Sequence, residues 1–214
     1  MRFNYTMDME VQTLPTGRTY FTKDGPLPSL TTILGKTSPN KIFIDAWKAR
    51  VGEEEAARVS KAATDRGTLI HSYAEDYFNN KDLPEILDPT IAHMTKELIK
   101  ATKSGLEEVW GQEQVLWSLK YGFAGRTDMV GIWKGKPTII DFKTSKKKKG
   151  EKEIRDYFVQ GCGYGEAHNE LFNTTISDMV IIITNEKYPA QIYEKKTTPF
   201  KYELFARCKE YQRL

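Results

Sequence analysis

The chain predicts an α/β fold, a sheet core with a helical N-terminal half. Three observations lead there. Apolar residues recur at helical spacing from about Asn40 to Asn80; three strand-like runs follow Trp110; and a long helical run then separates them from two more strands. With 214 residues, 39% hydrophobic and 29% charged, the chain suits one domain over 1–214, mainly helical over 1–110 and sheet-forming over 111–214.

The elements follow in order. "VQTLPTGRTYFTKDGPLPSLTTIL" predicts a short hairpin, a proline-led turn and a helix capped by Ser29. The next helical stretch, "IDAWKARVGEEEAARVSKAA", is broken only at Gly52, and in "RGTLIHSYAEDYF" the residues Leu69, Ile70, Tyr73, Ala74, Tyr77 and Phe78 keep the helical spacing. "DLPEILDPT" is a turn region, and a further helix is expected from Thr90 to Trp110, interrupted near Gly105. "EQVLWSLKY", "GFAGRTDMVGIW" and "PTIIDFK" predict three consecutive strands, the last two joined by the turn "KGKP". A helix from Glu151 to Phe172, strands "DMVIIIT" and "AQIYEKK", and a closing helix from Pro199 to Leu214 complete the chain.

The net charge of +3 is too mild to imply nucleic acid, but its distribution is uneven. Residues 134–155 carry nine Lys/Arg against three acidic residues, a local +6 that leaves the remainder at −3. Two cysteines, Cys162 and Cys208, cannot build a four-thiolate zinc or iron–sulfur site, so no iron–sulfur cluster is expected. They suit reduced thiols of an intracellular protein better than a bridge. No apolar run is long enough for a membrane span, and "MRFNYTMDMEVQ" lacks the apolar region of a signal peptide and the arginines of a transit peptide. A soluble, cytoplasmic protein without a membrane partner is expected.

The chemistry concentrates in "TIIDFKTSKKKKG". Residues two apart on a strand share a face, so Asp141 and Lys143 stand side by side while Phe142 points to the other side. Asp128 lies on the preceding strand. Two carboxylates converging at the ends of paired strands suit Mg²⁺ or Mn²⁺, and a neighbouring lysine can orient or deprotonate water or stabilise charge on phosphate. On spacing alone, a surface ion pair worth less than about 1 kcal/mol is the better account of Asp141 and Lys143.

The wider motif set decides between them. "GFAGRTD", then "DFK" with its aspartate thirteen residues after Asp128, then "QGCGY", preceded by "RGTLIHSYAEDY", resembles the PD-(D/E)xK nuclease superfamily. The specific resemblance is to its RecB-like branch, with a Gly-x-x-x-His motif at Gly67 and His71 and a Gln-x-x-x-Tyr motif at Gln160 and Tyr164. "PSLTTIL" and "WKARVGEEEA" extend it to small single-domain exonucleases, those of phages and of mitochondrial genome maintenance among them. The resemblance implies a restriction-endonuclease-like core with a helical elaboration, and a metal-dependent exonuclease acting on single-stranded DNA ends in phage or bacterial replication, recombination or degradation. Rivals are a restriction-type or CRISPR-associated endonuclease and an inactive DNA-binding relative.

It further implies one or two Mg²⁺ or Mn²⁺ ions held by His71, Asp128, Asp141 and the main-chain carbonyl of Phe142. Lys143 would be the catalytic lysine, with Gln160 and Tyr164 lining the site. Glu75, one helical turn from His71, is a candidate for orienting the histidine or a metal-bound water. Glu113 is expected as an exposed residue at a strand start, with a supporting role as the alternative. Lys146, Lys147, Lys148 and Lys149, with Lys152 and Arg155, are the candidate contacts to the DNA backbone. The three glycines of "QGCGYG", each costing a helix about 1 kcal/mol against alanine, imply a close approach either to the sheet or to DNA.

Overall fold

The computed structural model describes residues 3–5 and 9–214; the opening stretch read above for a leader lies partly outside them. Three short strands come first, β1 (Val11–Leu14), β2 (Gly17–Thr22) and β3 (Gly25–Pro28), antiparallel in the order β1-β2-β3. The expected single hairpin followed by a proline turn is therefore a three-stranded sheet. Gly25, at φ 114°, turns the chain back. Pro26 and Pro28 lie on an edge strand, where a missing N–H is tolerated. The Ser29 hydroxyl accepts the Thr32 N–H at 3.0 Å and caps α1 (Leu30–Lys36), and a bridge from Ser29 to Ala124 ties this region to the main sheet.

Helices α2 (Lys41–Val51) and α3 (Glu53–Phe78) are separated at Gly52, whose φ of 86° breaks the run. Asp88 caps α4 (Pro89–Lys103) through the Thr90 and Ile91 N–H groups. The helix expected to reach Trp110 stops at Lys103, and β4 (Leu106–Ser118) starts three residues later. The override is tertiary. Leu106 pairs with Trp133, and Gly105 lies so close to the Trp133 ring that a Cβ would come within 2.4 Å of it.

The main sheet has the order β4-β5-β6-β7-β8, with β5 (Phe123–Trp133), β6 (Lys136–Ser145), β7 (Asp178–Asn185) and β8 (Gln191–Lys196). All pairs are antiparallel except β6–β7. That parallel pair needs a crossover, which α5 (Arg155–Phe172) supplies. Residues 151–154, expected as its first turn, form a separate turn. A single 3₁₀ turn, Thr198–Phe200, leads into α6 (Lys201–Tyr211).

Helices cover both faces of this five-stranded mixed sheet. One core joins α1, α5 and α6 to Val130, Ile139, Met179, Ile181 and Ile183; the other joins α3 and α4 to Met129, Ile140, Phe142, Val180 and Ile182. The "VIII" run of β7 is apolar because it is buried on both faces. The α5 glycines answer to packing within the protein. A Cβ on Gly161 would come 2.8 Å from Met179 Sδ, and one on Gly163 would come 2.5 Å from Leu30. Cys162 and Cys208 are free and buried. Among the described residues no helix is long and apolar enough to cross a membrane.

Candidate active site

The site lies where two sheet neighbours part. The β5–β6 ladder runs from Trp133↔Lys136 to Met129↔Ile140. Next along, the Asp128 carboxylate takes the place of the ladder, accepting the Phe142 N–H on Oδ2 at 2.6 Å. Strand alternation holds: Ile140 and Phe142 belong to the α3–α4 core, while Asp141 and Lys143 turn towards α5. Asp128 reaches α3, where its Oδ1 lies 3.4 Å from His71 Nδ1.

A third possible donor joins those two. His71, Glu113 and Asp128 each offer a donor atom, and the three atoms lie within 4.8 Å of one another. Glu113 is not the exposed strand-start residue expected from the sequence. It sits inside β4, between the pairs Gln112↔Met129 and Gln114↔Thr127, in a left-handed conformation at φ 51°. Such a backbone costs a non-glycine residue on the order of 1 kcal/mol or more. The kink turns consecutive residues towards α3, since the Gln112 amide donates to Asn79 Oδ1 at 2.9 Å while Glu113 joins the cluster. Burial, then the Asp128 charge, pushes the Glu113 carboxyl up to about 7. Burial would lower the His71 pKa, but the Asp128 carboxylate outweighs it and holds the imidazole above its ordinary value.

Behind β6 lies a second, drier group. Asp141 is 1% exposed and ion-paired with Lys143; its Oδ1 accepts from Gln160 Nε2 at 3.3 Å, and the same amide lies 3.2 Å from Tyr164 Oη. Burial, with Asp128 nearby, raises the Asp141 carboxyl to about 6. Burial opposes the Lys143 charge, yet Asp141 and Asp128 together hold its pKa above the ordinary lysine value. Gly125 of "GFAGRTD" is required here, because a Cβ would lie 2.8 Å from the Tyr164 ring. Tyr157, not singled out in the sequence, places its ring centroid 5.1 Å from Lys143 Nζ. Its spacing of three from Gln160 and seven from Tyr164 is the signal that marks it.

The remaining candidates scatter. Glu75 lines the cleft one turn beyond His71, and Gly67 meets Thr144 near the end of β6, 3.5 Å from a Cβ position. Lys146 and Lys147 are exposed, Lys148 lies over Tyr188, and Lys149 pairs with Glu153 at 3.1 Å. Arg155 is engaged with Glu203 at 2.7 Å and, with Lys152, lines a separate groove beside β8. Tyr73 and Phe78 pack against the α3–α4 core.

The donor set suits a hard divalent cation that accepts one imidazole. Burial and the Asp128 charge hold both Glu113 and Asp141 above the usual carboxylate range, which a bound cation would offset. His71, Glu113 and Asp128 would hold the ion.

No family model matches the chain. It is 26% identical over 171 residues to mitochondrial genome maintenance exonuclease 1 of Xenopus tropicalis, the match covering 75% of this chain and 49% of that protein. The chain thus spans about half the length of that curated relative. Among solved structures it resembles a candidate exonuclease from Eubacterium rectale (TM-score 0.46, 13% identity, 69% of this chain and 66% of that one) and the protein SSO0001 (TM-score 0.44, 13% identity, 86% and 74%). The sequence relative is named as an exonuclease.

Proposed function

We propose that the protein is a metal-dependent exonuclease hydrolysing DNA phosphodiester bonds from single-stranded ends, with residues 1–214 acting as one nuclease unit of the RecB-like branch. The observation that carries this reading is the meeting of His71, Glu113 and Asp128 beside the Asp141–Lys143 pair, bridged by the Asp128 bond to Phe142 N–H. Asp141 and the Phe142 carbonyl would complete the ligand set. Bound Mg²⁺ or Mn²⁺ would polarise the phosphate and stabilise charge on the leaving 3′ oxygen.

The chain's own groups supply the rest. Lys143, paired with Asp141, serves to orient or deprotonate the attacking water or to neutralise charge on a phosphate oxygen. Gln160 and Tyr164 hold Asp141, and Tyr157 backs the ammonium. Water oxygen forms the new bond to phosphorus, the P–O3′ bond breaks, and the proton lost by water balances the one gained by the 3′ oxygen. The cleft, about 650 Å³ and walled by β1–β2, α3 and β4–β5, has room for about one or two nucleotides, on the scale of a drug-sized ligand.

Digestion of end-labelled linear and covalently closed DNA, single- and double-stranded, with Mg²⁺ or Mn²⁺ or with chelator, tests the proposal. Linear single strands should be shortened from an end only when metal is present. Ready nicking of closed circles favours an endonuclease, and absence of any cleavage overturns the reading.

A further inference from the structure

The wall of the cleft built by the N-terminal sheet has no part in the chemistry above, yet it is not passive. Val11 pairs with Tyr20 and Thr13 with Arg18. Residues paired across strands, and residues two apart along one, project to the same side, so these four share one face of β1–β2. All four line the cleft, opposite Thr68, His71, Ser72 and Glu75 of α3. Tyr20, 3% exposed, packs with Val115, Trp117 and Ala124, which fastens the wall to β4–β5. Arg18, two residues before that anchor, is exposed at the cleft. Its backbone N–H bonds to Thr32, but among the described residues its guanidinium has no hydrogen-bond or ion-pair partner.

A second arginine approaches from the other side. Arg126 is two residues before Asp128 on β5 and lines the same cleft. Its only ion pair among the described residues is a loose one, 3.9 Å to Glu113 Oε2. Two guanidinium groups thus stand in a cleft whose carboxylates neither has engaged closely. Arginine's planar fork suits two oxygens of one phosphate. The lysine block differs: Lys146 to Lys149 lie outside the cleft and meet its chemistry only through β6.

We propose that Arg18 and Arg126 form a phosphate-binding subsite that grips a phosphate next to the one being cleaved and so sets the register of the strand. This rests on the nuclease reading. The phosphate is either an internal diester or a terminal monoester; both present at least two non-bridging oxygens to a guanidinium fork. Contacts of this kind position the backbone without reading bases.

The test pairs protein variants with substrate variants. Parent, Arg18→Ala and Arg126→Ala are assayed on single-stranded oligonucleotides carrying one neutral methylphosphonate at successive positions, and on ends bearing phosphate or hydroxyl. The same set is measured for binding by anisotropy with Ca²⁺ in place of the cleavage ion, and thermal melting checks the fold. Each arginine variant should lose at least about tenfold in kcat/KM, the scale of a hydrogen bond to a charged group. One methylphosphonate position should cost the parent a similar factor and cost the variants little more, and the same pattern should appear in binding. If only the end group shows this coupling, the subsite takes a terminal phosphate. Equal losses for parent and variants at every position, or normal cleavage by both variants, overturn the subsite. A parent that binds but never cleaves contradicts the proposed function, while the binding pattern still decides the subsite.

Discussion

His71 and His168 are both single histidines on helices, and the protein treats them in opposite ways. His71 faces a cleft, its Nδ1 3.4 Å from Asp128, its pKa held above the ordinary value by that carboxylate against the pull of burial. His168 is fully buried on α5. Tyr5 Oη lies 3.0 Å from its Nε2 and Thr174 Oγ1 lies 2.8 Å from its Nδ1, among the rings of Phe3, Trp110 and Phe172. Burial pushes it down to about 4. Around His168 each ring nitrogen has a partner and the surroundings are apolar. Around His71, donor atoms of Glu113 and Asp128 crowd within 4.8 Å, and Glu113 adopts a left-handed backbone to join them. A region that gives up stability to crowd acids together is organised for something absent from the chain itself; a region that satisfies its polar atoms is organised for folding.

The largest effects should separate the two regions completely. Asp128→Ala, Asp141→Ala and Lys143→Ala should each reduce DNA cleavage by about a hundredfold to a thousandfold or more, and Asp128→Ala, which leaves the Phe142 N–H without its acceptor, should also lower the melting temperature while remaining folded. Near-normal turnover of any one variant breaks the comparison on the cleft side.

The His168 region should respond to pH instead. Its folded pKa of about 4 lies below the ordinary 6.5, so between those values the unfolded chain binds more protons. Its contribution is full above pH 6.5, is lost as pH falls towards 4, and changes no further below that. The shift corresponds to roughly 3 kcal/mol across the window. Denaturant titrations of parent and His168→Gln at pH 7 and pH 4.5 should show a steeper loss in the parent. Equal slopes would mean that His168 is not held neutral.

A smaller effect tests whether the lysine block belongs with the cleft. Replacing Lys146, Lys147, Lys148 and Lys149 by Gln should weaken binding and flatten its salt dependence, by about 0.7 in log–log slope for each phosphate no longer neutralised. The rate at saturating DNA should hold. An unchanged slope would make the block a solvated loop, consistent with Lys149 already being paired to Glu153.

Much of the fold and part of the site are legible locally. The strand run ending in Asp141 and Lys143, the α3 periodicity around His71 and the i,i+4 pair Gln160–Tyr164 can be read because alternation and helical spacing are local rules. What escapes such reading depends on distant partners. β4 starts at Leu106 because Trp133 pairs there, and a third strand forms in the N-terminal sheet because Gly25 turns Pro26 back onto Phe21. The placement of Glu113 beside His71 and Asp128 depends on its φ, which no spacing encodes, and Arg18 meets the cleft only through the packing of Tyr20 on the main sheet.

Whether His71, Glu113 and Asp128 together hold a divalent cation can be read by calorimetric titration of Mn²⁺ into metal-free parent and Glu113→Gln protein. Saturable binding to the parent is expected, with at least about tenfold weaker binding to the variant, since one charged ligand of three is removed, and with both proteins folded. Equal affinity for the two proteins, or no binding to the parent, would contradict the shared site.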